Sequence, residues 1–162
     1  MISNFIAVDI AEYIGDKKLL DLHKVAFLCS RDIPATVVLK CYDWAIAQRE
    51  AGNCVISTFH STLEKDVLAY LLKGTQPVIV ALARGMKARI EPEFKKPLEQ
   101  GRLLIVTPFE QKHKRVTTKL AITRNAFMAD LADEIVVGYA KPGGNIDRLI
   151  QQLGQAKPVQ YL

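Results

Sequence analysis

Val25-Ala26-Phe27-Leu28-Cys29-Ser30-Arg31 is an apolar run that stops abruptly in a thiol, a hydroxyl and a guanidinium. Four later runs stop in the same manner. Val55-Ile56 gives way to Ser57-Thr58-Phe59-His60, and Val78 to Leu82 gives way to Ala83-Arg84-Gly85. Leu103 to Val106 meets Thr107-Pro108-Phe109, and Ile135 to Val137 leads through Gly138-Tyr139-Ala140 into Lys141-Pro142-Gly143-Gly144. Short continuous apolar runs separated by helix-like stretches read as parallel strands covered on both faces. In an open α/β sheet the ligand crevice lies beyond the carboxyl ends of the strands, and those are the ends that carry the polar residues here.

Outward from that first strand, set at about Lys24 to Ser30, the chain alternates. Pro34 opens a helix that Gly52 closes. Within it Val37, Val38, Cys41, Trp44, Ala45 and Gln48 lie near one face, which makes Trp44 a core residue. A second strand, Asn53 to Phe59, leads into Ser61-Thr62-Leu63-Glu64, a capping box, and a helix ending at Gly74. A third strand spans Gln76 to Ala83, a short helix starts at Glu91-Pro92-Glu93, and a fourth strand spans Arg102 to Thr107. Thr117 or Thr118 starts a helix through about Leu131, Glu134 to Ala140 is the fifth strand, and Gly143-Gly144-Asn145 opens the last helix. Pro158 to Leu162 is a candidate terminal strand, and residues 1–22 are expected to be a helical lead-in, with one or two short turns around Gly15. The expectation is one α/β domain over residues 1–162, with a Rossmann-like, doubly wound, mostly parallel sheet of five to six strands flanked by helices.

The 162 residues are 49% hydrophobic and 24% charged, the composition of an ordinary soluble globule. No stretch approaches a membrane span and no signal-peptide pattern is present. Cys29, Cys41 and Cys54 form no C-x-x-C pair and read as reduced structural thiols of a cytoplasmic protein. His23, His60 and His113 lack ligand spacing, so neither a metal nor a cofactor is expected. The net charge of +5 is uneven: Arg84 to Arg124 holds eleven Lys/Arg against four Glu, a local +7. A basic half beside the strand ends favours phosphate-rich partners.

Ser30 and Arg31 sit where the first strand meets the first helix, a place where a hydroxyl and a guanidinium fork hold an anion. Ser57, Thr58 and His60 mark the second turn, where Phe59 is a candidate for stacking a base and Lys65 points back to the same mouth. His60 is a candidate general acid or base with no carboxylate partner visible in sequence. Arg84 opens the basic loop. Arg124-Asn125 interrupts a helix whose buried side is otherwise apolar, which turns the pair towards the crevice, and Gly143 and Gly144 are placed to let backbone amides approach a ligand. Neither a G-x-G-x-x-G nor a Walker pattern follows the first strand.

At these residues the sequence resembles the DNA-processing protein A family (DprA/Smf), whose Rossmann-like domain binds single-stranded DNA. Tyr13-Ile14-Gly15-Asp16-Lys17-Lys18-Leu19-Leu20 looks like the family's lead-in, and Val25 to Arg31 its Gly-Ser-Arg strand, with Cys29 where glycine is usual. Val55 to His60 stands at its Ser-Gly turn, with Thr58 where glycine is usual. Thr123-Arg124-Asn125-Ala126 with Ala132-Asp133-Glu134 is similar to its Arg-Asn helix and following strand. The resemblance runs from about Tyr13 to Asn145 and implies the core domain alone. It implies a groove in which Ser30, Arg31, Ser57 and Arg124 hold backbone phosphates and Asn125 supports them. It also makes a RecA-type recombinase and a second copy of the chain candidate partners. The lysine-decarboxylase-like (LOG) nucleotide hydrolases share the fold, but Pro142-Gly143-Gly144 continues as Asn145-Ile146-Asp147-Arg148, without their catalytic glutamate in place. The reading therefore leans to a non-enzymatic binder of single-stranded DNA, with nucleotide binding or N-glycosidic hydrolysis as the alternative.

Overall fold

A computed structural model of the chain describes residues 9–162. The element over Val25 to Arg31 is β2, Lys24–Cys29, and all six of its residues are buried. It is followed by α1 (Ala35–Ala51), β3 (Cys54–Ser57), α2 (Thr62–Leu72), β4 (Val78–Ala81), α3 (Pro92–Glu99) and β5 (Leu103–Thr107). Then come α4 (Thr118–Leu131), β6 (Glu134–Tyr139), α5 (Asn145–Leu153) and β7 (Val159–Tyr161), and β1 (Glu12–Gly15) precedes them all. The sheet has seven strands in the order β1-β5-β4-β3-β2-β6-β7, parallel throughout except that β1 runs antiparallel to β5. No described helix is long and apolar enough to cross a membrane.

The count of five to six strands is corrected to seven, and so is the helical lead-in. Residues 1–8 of that lead-in lie outside the described residues. The rest holds one 3-10 turn, Lys17–Asp21, but Glu12–Gly15 is an edge strand. Gly15 explains the difference: its φ is +112°, and a Cβ there would stand 2.2 Å from the carbonyl oxygen of Leu103. Backbone approaches backbone at that point, as an added strand requires. Four half-exposed residues carry no periodicity that would reveal this.

Alternation along β2 divides the core between the two faces of the sheet. Phe27 and Cys29 pack with Cys41 and Trp44 of α1, with α2 and with Phe94 of α3. Ala26 and Leu28 pack with Phe127 and Met128 of α4, with α5 and with Leu19 of the 3-10 turn. Trp44 stacks on Phe27 at 5.0 Å between ring centroids, as a core residue should. Between Leu28 and Cys29 the pairing with β6 slips by one residue, passing over Gly138. A Cβ at Gly138 would stand 2.9 Å from Cys41 Sγ and 3.1 Å from Cys29 Sγ, so the missing side chain leaves room for both thiols. Contact with Cys41, and burial after it, hold the Cys29 thiol well above the usual range.

From β2 the chain winds outward through β3, β4 and β5, then α4 carries it back to β6 on the other side of β2. The loops after β2 and β6 therefore part in opposite directions and leave a crevice at the carboxyl ends of the strands.

Candidate nucleic-acid interface

The crevice consists of two adjoining cavities, of 460 Å³ and 570 Å³, that share Thr58, His60, Val116 and Arg124 as walls. Both volumes fall within the roughly 300–1,000 Å³ of small-ligand pockets. The smaller lies over the ends of β2 and β6 and takes in Ser30, Arg31, Thr117, Asn125, Lys141 and Gly144. The larger lies between α2, α3 and the turn after β4 and takes in Lys65, Arg84 and Lys87.

Arg124 stands where the two meet. Its helix offers Phe127 and Met128 to the core, and one turn earlier the same face reaches the crevice floor, so the guanidinium is carried there with 8% of the residue exposed. Nη1 donates to Thr58 Oγ1 at 2.7 Å and Nε to Asn125 Oδ1 at 3.1 Å, while Nη2 makes no hydrogen bond among the described residues. Burial pushes Arg124 down to about 10, against a neighbouring Glu64 that raises it, so the side chain is a cation at neutral pH. Thr58, which stands where the resembling family has glycine, supplies the hydroxyl that orients it.

The remaining predicted residues divide into those that face the crevice and those that do not. Arg31 is exposed on the rim. Ser30 lies at the mouth, but its hydroxyl accepts the Lys141 N–H at 2.9 Å and ties the β2 turn to the β6 turn. Lys65 is exposed beside the larger cavity and Arg84 is half-buried in its wall. His60 is exposed between the two, and burial together with Arg124, Arg31, Lys65 and Lys87 lowers its pKa, leaving it neutral near pH 7. Ser57 is fully buried: alternation along β3 turns it inward with Val55, and its hydroxyl is shared between the Phe27 carbonyl at 3.0 Å and Glu64 at 3.3 Å. Phe59 has φ +50° and is 5% exposed; it packs with the core and lines the larger cavity from there. Gly143 gives its N–H to Asp147 and Gly144 gives its N–H to the Lys141 carbonyl, so neither amide is free for a ligand. Asp147, the carboxylate nearest to the hydrolase motif, is thereby tied to the turn. Among the described residues no group of three His, Cys, Asp or Glu could hold a metal ion.

Four contributors were not singled out from sequence as site residues: Lys141, Asn145, Glu64 and Lys87. The first two adjoin the Pro-Gly-Gly turn. Glu64 was legible as half of a capping box, and the box is present: Ser61 Oγ accepts the Glu64 N–H at 3.2 Å, and Glu64 accepts the Ser61 N–H at 3.1 Å. What the pattern does not disclose is that this carboxyl is 4% exposed and forms part of the floor of the smaller cavity. Burial raises it from the ordinary 4.5, opposed by hydrogen bonds from Ser61 and Ser57 and by Arg124.

A raised acid favours the fold when protonated. That contribution is complete below about 4.5 and is lost as pH climbs through the folded-state value. Glu64→Gln keeps the shape and the hydrogen bond accepted from the Ser61 N–H without the ionisation. Urea unfolding of the two proteins from about pH 4 to about pH 8 is expected to show native stability falling relative to the variant as pH rises. Parallel pH profiles would contradict this role.

No family model matches the chain, and no curated protein matches it by sequence. Among solved structures the fold is similar to DNA processing protein A from Helicobacter pylori, studied for its single-stranded DNA binding mode, with a TM-score of 0.73 and 19% identity. It is similar also to DNA processing protein A (DprA) from Streptococcus pneumoniae, with a TM-score of 0.70 and 17% identity. Each likeness takes in 92% of this chain, which spans 69% of the first protein and 53% of the second. A more distant likeness, with a TM-score of 0.53 and 11% identity, is to the Moco carrier protein from Chlamydomonas reinhardtii over 87% of this chain and 76% of that one. At these identities the likeness is one of fold. The Rossmann-like core that the Ser30-Arg31 and Arg124-Asn125 motifs implied is the fold observed.

Proposed function

We propose that this chain is a DprA/Smf-type domain that binds single-stranded DNA without chemical turnover, laying phosphates along the carboxyl ends of its sheet. The observation that carries the reading is Arg124. A guanidinium oriented by two internal hydrogen bonds, with Nη2 left over in a cavity, is a built anion receptor and not a solvated surface charge. Arg31 and Lys141 stand on one side of it and Lys65, Arg84 and Lys87 on the other. A line of cations with few base-reading groups gives affinity with little sequence choice. A RecA-type recombinase and a second copy of the chain are the macromolecular partners this reading carries with it.

Anisotropy of a labelled oligothymidylate at several salt concentrations tests the proposal. Binding should weaken steeply with salt, and Arg31→Ala should cost about tenfold in affinity and reduce the log–log slope by about 0.7, one phosphate contact on a single strand. Saturable binding of a nucleoside monophosphate with no strand binding would replace the proposal by a nucleotide-binding one. Release of free base from that nucleotide would make the chain a hydrolase.

A further inference from the structure

We propose that Glu64 is the proton-linked counter-charge of Arg124: the site receives a phosphodiester with Glu64 as a neutral acid, so a proton is drawn from solvent as the strand binds. The inference rests on the phosphate reading above and gives a role to a buried carboxyl which that reading leaves unused.

Hydrogen bonding identifies the form of the acid for which the floor of the smaller cavity is built. Ser57 has one hydroxyl proton and two acceptors in reach, the Phe27 carbonyl at 3.0 Å and Glu64 Oε2 at 3.3 Å. A carbonyl can only accept, so the Ser57 proton is committed to the shorter contact. The longer contact is then a hydrogen bond only when Glu64 carries a proton on Oε2 and donates it to Ser57 Oγ. Oε1 meanwhile accepts the Ser61 N–H, so the neutral acid uses both of its oxygens. An ionised Glu64 would set two oxygens against each other with one proton for two bonds, at a residue 4% exposed.

The same proton decides the charge that a ligand meets. Of the cations lining the smaller cavity Arg124 alone is buried, and Arg31 and Lys141 are exposed. With Glu64 ionised, the buried charges cancel and an entering phosphate meets a carboxylate that little water screens. With Glu64 neutral, one buried positive charge faces the single negative charge of a phosphodiester. A bound strand therefore raises Glu64 beyond the elevation that burial already gives it. Affinity is complete below the free-protein value and falls as pH climbs through it. The other groups at this floor and mouth are the Cys29 thiol of β2, held neutral, Lys65 of α2, and Arg31, Asp32 and His60 on the turns. Of these His60, whose pKa the surrounding cations lower, competes for the same effect, because a phosphate beside it also favours its protonation.

The test follows anisotropy of a labelled oligothymidylate with the whole chain from about pH 5 to about pH 8 at constant ionic strength, a range in which neither thymine nor a phosphodiester titrates. Native affinity should fall about tenfold across it, the effect of about one pH unit between the free and bound titrations of one group. Glu64→Gln carries an amide that donates to Ser57 Oγ as the neutral acid does, so it should hold the low-pH affinity throughout. His60→Asn should keep the native pH dependence. Calorimetry of the native protein and of His60→Asn in two buffers of different ionisation enthalpy should show net proton uptake on binding, which decides the matter even if Glu64→Gln does not fold. Native and Glu64→Gln profiles that run parallel, strand binding without proton uptake, or an effect lost in His60→Asn and kept in Glu64→Gln would overturn the inference and leave the phosphate reading standing. Absence of strand binding by the native protein at every pH would overturn both.

Discussion

Arg124→Ala is expected to weaken oligothymidylate binding about 100-fold at moderate salt, the largest loss of any single substitution in the crevice. A hydrogen bond from a charged donor contributes about 1.5–3 kcal/mol, and a hundredfold is about 2.7 kcal/mol. Arg124 should lie at the upper end of that range because its fork is oriented before the ligand arrives. Thr58 and Asn125 hold two of its nitrogens, so little conformational freedom is lost on binding. A rim cation such as Arg31 is held by no such framework and is screened by solvent. The salt slope should fall by about 0.7 as well, since one counterion fewer is released. Arg124→Lys separates the two components. It keeps the charge and therefore the slope, but a point charge cannot satisfy Thr58, Asn125 and a phosphate together, so affinity should fall to an intermediate value. A titration series at several salt concentrations measures both quantities. Unchanged affinity and slope in the alanine variant would remove Arg124 from the site.

The largest effect on stability is expected from Phe27→Ala, at about 3–5 kcal/mol. Phe27 is fully buried at the centre of β2, itself central in the sheet, and its ring lies 5.0 Å from that of Trp44 at an interplanar angle of 20°. Truncation would remove the stacking contact and leave a void under α1 that backbone pairing on both sides of β2 prevents from collapsing. Against a total of about 5–15 kcal/mol for a domain, such a loss brings the chain close to unfolding. Urea denaturation should show a lower midpoint with an unchanged slope. The folded fraction should still bind the strand, because Ser57 uses the backbone carbonyl of Phe27 and not its ring. A loss below about 1 kcal/mol would mean that the site repacks freely.

Much of this architecture was readable in the residues. The five inner parallel strands are covered on both faces, so each is a continuous apolar run with polar residues at its end. Helix ends are equally plain where chemistry marks them: Pro34 and Gly52 around α1, Ser61 with Glu64 at α2, and Thr117 at α4, whose hydroxyl accepts the Leu120 N–H. The antiparallel edge strand was not readable, because Glu12–Gly15 is held by its neighbour's backbone and not by any periodicity of its own. At the crevice, sequence position put Arg31, Lys65, Arg84 and Arg124 at the carboxyl ends of the strands, where the structure has them. It did not disclose that Ser57 turns inward, since the direction of a side chain at a strand end is set by half a pleat. The approach of Glu64 to Arg124 joins α2 to α4 and exists only in three dimensions.

Gly138 gives the sequence around the crevice a constraint that reaches beyond its own strand. The atoms nearest to its absent side chain belong to Cys41, Cys29 and Phe27, residues of one helix turn and one neighbouring strand. These four positions divide one fixed volume, so a side chain at Cys29 is accommodated because none stands at 138. Their substitutions are therefore non-additive: a methyl group gained at 138 meets Cys41 Sγ at 2.9 Å and Cys29 Sγ at 3.1 Å, so a smaller residue at 29 relieves part of the clash and one at 41 the rest. The residue leading into Ser30-Arg31 thus shares its space with a position more than a hundred residues away, and a larger side chain at either one must be answered at 29, 41 or 138.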